Sequence, residues 1–182
     1  MLDRDVEIKS DALKGFLVGV GVCGGIAALE SVRIIRELRR YGATVRVSIT
    51  PSVRLFMTPL GLEWASGHPV IEAAEANVDH LESYDGVLVV PATLNTISKI
   101  SSAICDNPVT LLVASQLGRK KPVAIVPTMN VALSEHPMLR QHQGTLVSWG
   151  VDWIEPALEE GRWKIPDAVE LVASVIKNWK VR

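Results

Sequence analysis

Residues 19–24 read Gly-Val-Gly-Val-Cys-Gly, a GxGxxG string directly after the apolar run Phe16–Val18. Glycines in that pattern allow a tight strand-to-helix turn and let backbone N–H groups approach a phosphate. A dinucleotide site also needs an acidic residue about twenty positions on, ending the second strand, to bind ribose hydroxyls. The sequence there is Ser48-Ile49-Thr50-Pro51-Ser52, with no acid. Hydroxyls in that place suit a phosphate, so the residues argue against NAD and for a monophosphate, and a mononucleotide such as FMN fits. Gly24 and Gly25 supply the close backbone approach. The helix expected to start near Ile26 turns its positive end toward the anion. A plain tight turn without a ligand is the competing reading of the glycines alone.

Two more polar clusters follow apolar runs. Pro91-Ala92-Thr93-Leu94-Asn95-Thr96 and Pro127-Thr128-Met129-Asn130 each put short hydrogen-bonding groups after a proline. Such groups suit a ligand at a strand's carboxyl end, and they suit helix capping equally well. Thr50/Ser52, Thr93/Asn95 and Asn130 on one edge with the glycine turn favour a site. His80 stands beside Asp79 and two residues before Glu82, acids that raise its basicity and keep it usable for proton transfer. His68, His136 and His142 read as turn or surface groups. His136 and His142 lack the i,i+4 spacing of two ligands on one helical face, and no metal site is expected. No GxSxG is present, and Ser98, Ser101 and Ser102 fall on a helix with Lys99. Trp149, Trp153 and Trp163 read as core or subunit interface, or one of them stacks on a planar substrate.

Alternating elements must position these groups. Strands are expected at Gly15–Val22, Thr44–Thr50, Gly86–Val90, Val123–Val126 and Val151–Ile154. Helices are expected at Ile26–Tyr41, Pro51–Met57, Pro59–Ala65, Asn95–Cys105, Val109–Leu117, Met138–Trp149 and Asp167–Trp179. In the first of these, Leu29, Val32, Ile35 and Leu38 form the inward stripe, while Arg33, Arg36, Glu37 and Arg40 point away. Gly42 is a C-cap. Strands alternating with helices give an α/β fold with a mostly parallel sheet, and strands this apolar are covered on both faces. Ligands then sit beyond the strands' carboxyl ends.

The chain has 182 residues, a net charge of −1 and 48% hydrophobic residues. One domain over 1–182 is expected, with 1–14 as an extension and 166–182 as a closing helix. The charge gives no nucleic-acid or membrane partner, the apolar runs are too short to span a bilayer, and the polar N-terminus is unlike a secretory signal. Two cysteines, Cys23 and Cys105, make no disulfide framework, so a cytoplasmic setting is expected, with Cys105 a small buried apolar group. Surplus apolar content points to a homo-oligomer.

Gly24-Gly25-Ile26-Ala27-Ala28, the 91–96 segment, Asp106-Asn107 and the 127–130 segment together resemble the FMN-binding cysteine-decarboxylase flavoproteins. That family includes phosphopantothenoylcysteine decarboxylases, peptidyl-cysteine decarboxylases and, more distantly, flavin prenyltransferases. The pairing of PA(T/S)xNT with PxMN carries the resemblance, which covers residues 15 to about 165. It implies a flavodoxin-like (Rossmann-like) three-layer α/β/α sandwich with FMN at a trimer interface, in a trimer or a multiple of trimers. It implies phosphate binding by Gly24, Gly25 and Ile26 with Thr50 and Ser52. Ala92, Thr93, Asn95, Thr96 and Met129 would contact the flavin. His80 falls at the family's active-site histidine, and Asn130 at the asparagine that holds a substrate carboxylate.

The sequence also departs from the family. Leu133 and Ser134 replace the methionine and tryptophan of PxMNxxMW, Gly25 stands where serine is frequent, and the flap segment Glu155–Arg162 is short, acidic and without cysteine. These departures put an FMN-dependent oxidoreductase first, acting on a small, pterin-like substrate with NAD(P)H or a redox protein as electron donor. A flavin-dependent decarboxylase (lyase) of a cysteine-bearing substrate stands second, and a non-enzymatic flavin-binding electron carrier third.

Overall fold

Glycine and valine alternate through the first strand, and the alternation decides how closely the sheet is covered. The structure, a computed structural model, describes residues 3–73 and 82–180. β1 (Leu17–Val22) turns Val18, Val20 and Val22 to one face, while Gly19 and Gly21 face α4 (Pro108–Gly118). A Cβ on Gly21 would lie 2.7 Å from Val109 Cγ1, and one on Gly19 3.3 Å from Leu112 Cδ2. The first two glycines of the opening string therefore serve helix packing, and only Gly24 lies in the turn.

β2 (Thr44–Ile49), β3 (Gly86–Ala92), β4 (Val123–Pro127) and β6 (Asp152–Trp153) complete a parallel sheet in the order β2-β1-β3-β4-β6. This is the doubly wound, flavodoxin-like order, with its switch point between β1 and β3. On one face pack α1 (Ser31–Arg40), α2 (Pro59–Ser66) and α7 (Ala168–Lys180), through Ile34, Ile35, Leu38, Leu62, Leu171 and Val175 among others. On the other pack α3 (Leu94–Ser101), α4 and α6 (Pro137–Ser148), through Ile97, Val109, Val113, Leu139 and Leu146. β3 and β4 are buried along their whole length, as double coverage requires. Among the described residues no helix is long and apolar enough to cross a membrane.

Several sequence expectations shift. The helix expected over 26–41 opens as a 3-10 turn (Ile26–Glu30) before α1, which leaves Leu29 half exposed. Pro51–Leu55 is likewise a 3-10 turn. Glu37, expected to face water, is buried and accepts hydrogen bonds from Lys9 Nζ at 2.8 Å and Arg40 at 2.7 Å. The N-terminal extension supplies that lysine, so it is packed on α1. β3 runs through Pro91 to Ala92, because the loss of one N–H is tolerated at a strand's end. α3 stops at Ser101, so Ile104 and Cys105 are exposed rather than inward. The structure also contains an antiparallel sheet that alternation alone did not flag. β5 (Met129–Asn130) pairs with β8 (Arg162–Lys164), which pairs with β7 (Ala157–Glu159).

Gly21→Ala should destabilise the fold by about 1–3 kcal/mol through overpacking on Val109. Gly25→Ala should be near neutral, since its backbone is extended and its Cβ position is open. Urea titration of both variants checks the contrast. Burial pushes the Glu37 carboxyl up, but hydrogen bonds from Lys9 and Arg40 outweigh it and hold the group below its ordinary value. Its contribution is therefore complete above about pH 4.3 and lost as pH falls through the lowered value. Glu37→Gln should cost about 1–3 kcal/mol at pH 7 and progressively less in acid, as read by denaturation at each pH.

Candidate functional site

Parallel strands deliver their carboxyl ends to one edge, and hydrogen bonds there join residues far apart in sequence. Gly24 N–H donates to Thr50 Oγ1 at 3.0 Å, and Thr50 Oγ1 lies 3.1 Å from Ser52 Oγ. When the Thr50 hydroxyl donates to Ser52, the Ser52 hydrogen is left to point at an anion. A Cβ on Gly24 would collide with Ser52, so the close approach of turn and hydroxyl pair requires glycine. No side chain caps the 3-10 turn at Gly25, which leaves its leading N–H groups for a ligand.

The next links reach β3 and β4. Cys23 N–H donates to Pro91 O at 3.2 Å, and Thr128 N–H to Ala92 O at 2.9 Å. The buried Ser31 hydroxyl, at the start of α1, donates to Val90 O at 3.0 Å. Thr93 caps α3 by accepting from Thr96 N–H at 3.4 Å, with Asn95 exposed in the first turn. Asn107 caps α4 through Val109 and Thr110 N–H. Asn130 caps α5 (Val131–Ser134), its Oδ1 accepting from Leu133 N–H at 2.9 Å. Capping and ligand binding thus coexist in these residues: each cap uses one acceptor and leaves the Asn130 amide hydrogens uncommitted.

The edge gathers Gly24, Gly25, Ile26, Thr50, Ser52, Ala92, Thr93, Asn95, Thr96, Met129 and Asn130. Ala92, Thr96 and Met129 are buried there and shape the wall rather than the rim. His80 lies outside the described residues. The Thr128 hydroxyl, part of the 127–130 cluster but not among the expected site residues, is buried without a partner among the described residues at the same strand end. The hairpin β7–β8 was also missed. Its signal is Ala157-Leu158-Glu159 and Arg162-Trp163-Lys164 flanking Glu160-Gly161, both with positive φ, as a two-residue turn demands. Beyond it, a groove of about 700 Å³ between α6 and the hairpin is lined by Ser134, Arg140, Gly144 and Trp163.

A family model described as Flavoprotein matches residues 6–180. The chain belongs to the Flavoprotein family. It is 36% identical over 177 residues to the coenzyme A biosynthesis bifunctional protein CoaBC of Thermococcus kodakarensis, covering 93% of this chain and 44% of that protein. To CoaBC of Escherichia coli K12 it is 34% identical over 154 residues, covering 78% of this chain and 37% of that protein. The chain thus spans less than half the length of the curated relatives it matches. Among solved structures, a cysteine-to-serine mutant of PPC decarboxylase complexed with pantothenoylaminoethenethiol superposes with TM-score 0.79 at 21% identity, covering 90% of this chain and 98% of that one. The FMN binding protein AtHal3 gives 0.80 at 20%, covering 93% and 99%. The FMN-dependent cysteine decarboxylase SpaF gives 0.77 at 23%, covering 92% and 99%. These structures share the flavodoxin-like fold.

The comparisons overturn the oxidoreductase reading. The relatives are CoaBC proteins, and the structural neighbours include PPC and cysteine decarboxylases, so the decarboxylase alternative is the better supported. The departures that put the oxidoreductase first, Leu133, Ser134 and the cysteine-free segment 155–162, lie in α5 and around the hairpin.

Burial pushes the Cys23 thiol up to about 11, against hydrogen bonds with the Thr96 side chain and the Thr93 backbone. Cys105 is exposed. At pH 8 a thiol reagent should label Cys105 quickly and Cys23 only after unfolding; peptide mass spectrometry reads the order.

Proposed function

We propose that the chain is an FMN-dependent decarboxylase whose substrate carries a cysteine-type thiol next to a free carboxylate. The observation that carries this reading is the junction of two half-sites at one edge: a hydroxyl-lined glycine turn, and an asparagine with unspent amide hydrogens. The residues fit the cofactor. Gly24, the N–H groups that follow it, Thr50 and Ser52 form an uncluttered cradle for a monophosphate, and the unpartnered Thr128 hydroxyl and exposed Asn95 offer polar contacts to a flavin. When bound, FMN would supply two-electron oxidation at the thiol-bearing carbon and, once the carboxylate on the neighbouring carbon has left as carbon dioxide, would return the two electrons to the resulting enethiol. The Asn130 amide donates to that carboxylate and orients it, and His80 exchanges the proton of the thiol or of the product.

Ile26, next to Gly25, is 70% exposed, Leu55, at the end of the turn that carries Ser52, 82%, and Leu60, at the start of α2, 69%. We assign this apolar rim to contact with further copies of the chain, in a trimer or a multiple of trimers, which would close the flavin site from water. A single domain working in the cytoplasm accords with the two unpaired cysteines.

Purified protein should be yellow and should release carbon dioxide from an N-acylated cysteine. Gly24→Val should lower FMN retention by about a hundredfold or more, by filling the cradle. His80→Asn should keep the flavin and slow turnover by about 10²–10⁴-fold. Protein that stays colourless and cannot be loaded with FMN overturns the proposal. Turnover unchanged in His80→Asn removes that residue from it.

A further inference from the structure

The small antiparallel sheet sets a cation beside Asn130. β8 runs between β5 and β7, so its residues have neighbours on both sides. The register aligns Asn130, Arg162 and Glu159 in one row, and Met129, Trp163 and Leu158 in the next. Directly opposed residues of antiparallel strands project from the same face, with Cβ atoms about 4.5–5.5 Å apart. Arg162 therefore neighbours Asn130 on one face, and Trp163 neighbours the buried Met129 on the other. Two further residues of the Arg162 face, Glu159 and Lys164, border a cleft of about 390 Å³ together with Glu30 and Arg33 of the segments that follow Gly25.

The charges around Arg162 are already matched to one another. Lys164 Nζ holds Glu159 at 2.9 Å and Glu160 at 3.3 Å, which removes the two acids nearest Arg162. Arg162 is exposed and, among the described residues, makes no hydrogen bond or ion pair. Asn130 spends its Oδ1 on Leu133 N–H and keeps both amide hydrogens. A guanidinium and a carboxamide NH₂ side by side are a donor-only pair, the complement of a carboxylate with two acceptor oxygens.

We propose that Arg162, paired with Asn130 on one face of the hairpin sheet, anchors the substrate's carboxylate. This rests on the decarboxylase reading and deepens it by naming the residue that would hold the free carboxylate. The role is binding rather than acceleration. As the carbon–carboxylate bond breaks, its electron pair moves into the substrate and carbon dioxide leaves uncharged. The carboxylate keeps its charge while the thiol-bearing carbon is oxidised, so a cation there holds the bound substrate and that step alike, and with oxidation limiting the rate its removal raises KM and leaves kcat.

The test uses the FMN-loaded protein with N-pantothenoylcysteine, its 4′-phosphorylated form and its carboxamide, reading both carbon dioxide release and the flavin spectral change on binding. Arg162→Ala should keep wild-type flavin content, raise KM for both carboxylates by about tenfold or more, and leave kcat within about twofold. Arg162→Lys should recover part of the loss. The carboxamide should bind weakly and equally to wild type and Arg162→Ala. Equal KM in wild type and variant overturns the anchor while the reaction stands. A loss confined to the phosphorylated substrate assigns Arg162 to the phosphate and overturns the carboxylate role. No carbon dioxide from wild type, with carboxylate binding still dependent on Arg162, sinks the decarboxylase reading and keeps the anchor. No carbon dioxide and no discrimination overturns both.

Discussion

The hydrogen bond from Gly24 to the Thr50 hydroxyl is the constraint on which the ligand edge depends. It forms because β1 and β2 are parallel neighbours that end together, and because glycine leaves Ser52 room beside the turn. With those two strand ends fixed, Cys23 reaches Pro91 and the edge extends to β3; Ala92 then holds Thr128 and extends it to β4. Each link is a backbone donor satisfied at a strand terminus, so the same bonds that end the strands also space the polar groups around a ligand. The site is in that sense the completion of the sheet rather than an addition to it.

The core behind this edge explains its rigidity. Alternating valines and glycines in β1 let two helix layers approach unequally: large side chains fill the α1–α2–α7 side, and the α4 side closes directly on glycine. At the other end of the sheet Trp179 sits against Gly86, where a Cβ would lie 2.7 Å from its ring, and ties α7 to the start of β3. Close packing of this kind converts a small volume change into strain, so strand ends are held to their positions.

Much of this was legible in the residues. Four of the five strands of the main sheet are apolar or alternating runs of 5 to 7 residues, long enough to outweigh local ambiguity, and polar groups follow β2, β3 and β4. The glycine string was half misleading: spacing suggested a phosphate loop across Gly19, Gly21 and Gly24, whereas tertiary packing claims the first two. Glu37 looked like a surface acid because periodicity cannot see that the N-terminal extension brings Lys9 across it. Cys105 was misplaced for a similar reason, since α3 stops one turn early. The hairpin escaped notice because strands of three residues carry too few alternations, and because Arg162 acquires its meaning only from the register with Asn130. The reaction class is not legible in Leu133, Ser134 and the cysteine-free segment 155–162; the relatives, CoaBC proteins, favour the decarboxylase alternative.

The two halves of the edge differ in how they are secured. The glycine-turn half hangs on strands of 6 residues paired along their full length, while the Asn130 half hangs on strands of 2 and 3 residues, joined by two register pairs to β5. The outer residues of that hairpin, Leu158, Glu159 and Arg162, are exposed. The architecture can therefore keep its glycine turn while the hairpin drifts, and diversification within such a lineage should concentrate in β7 and β8.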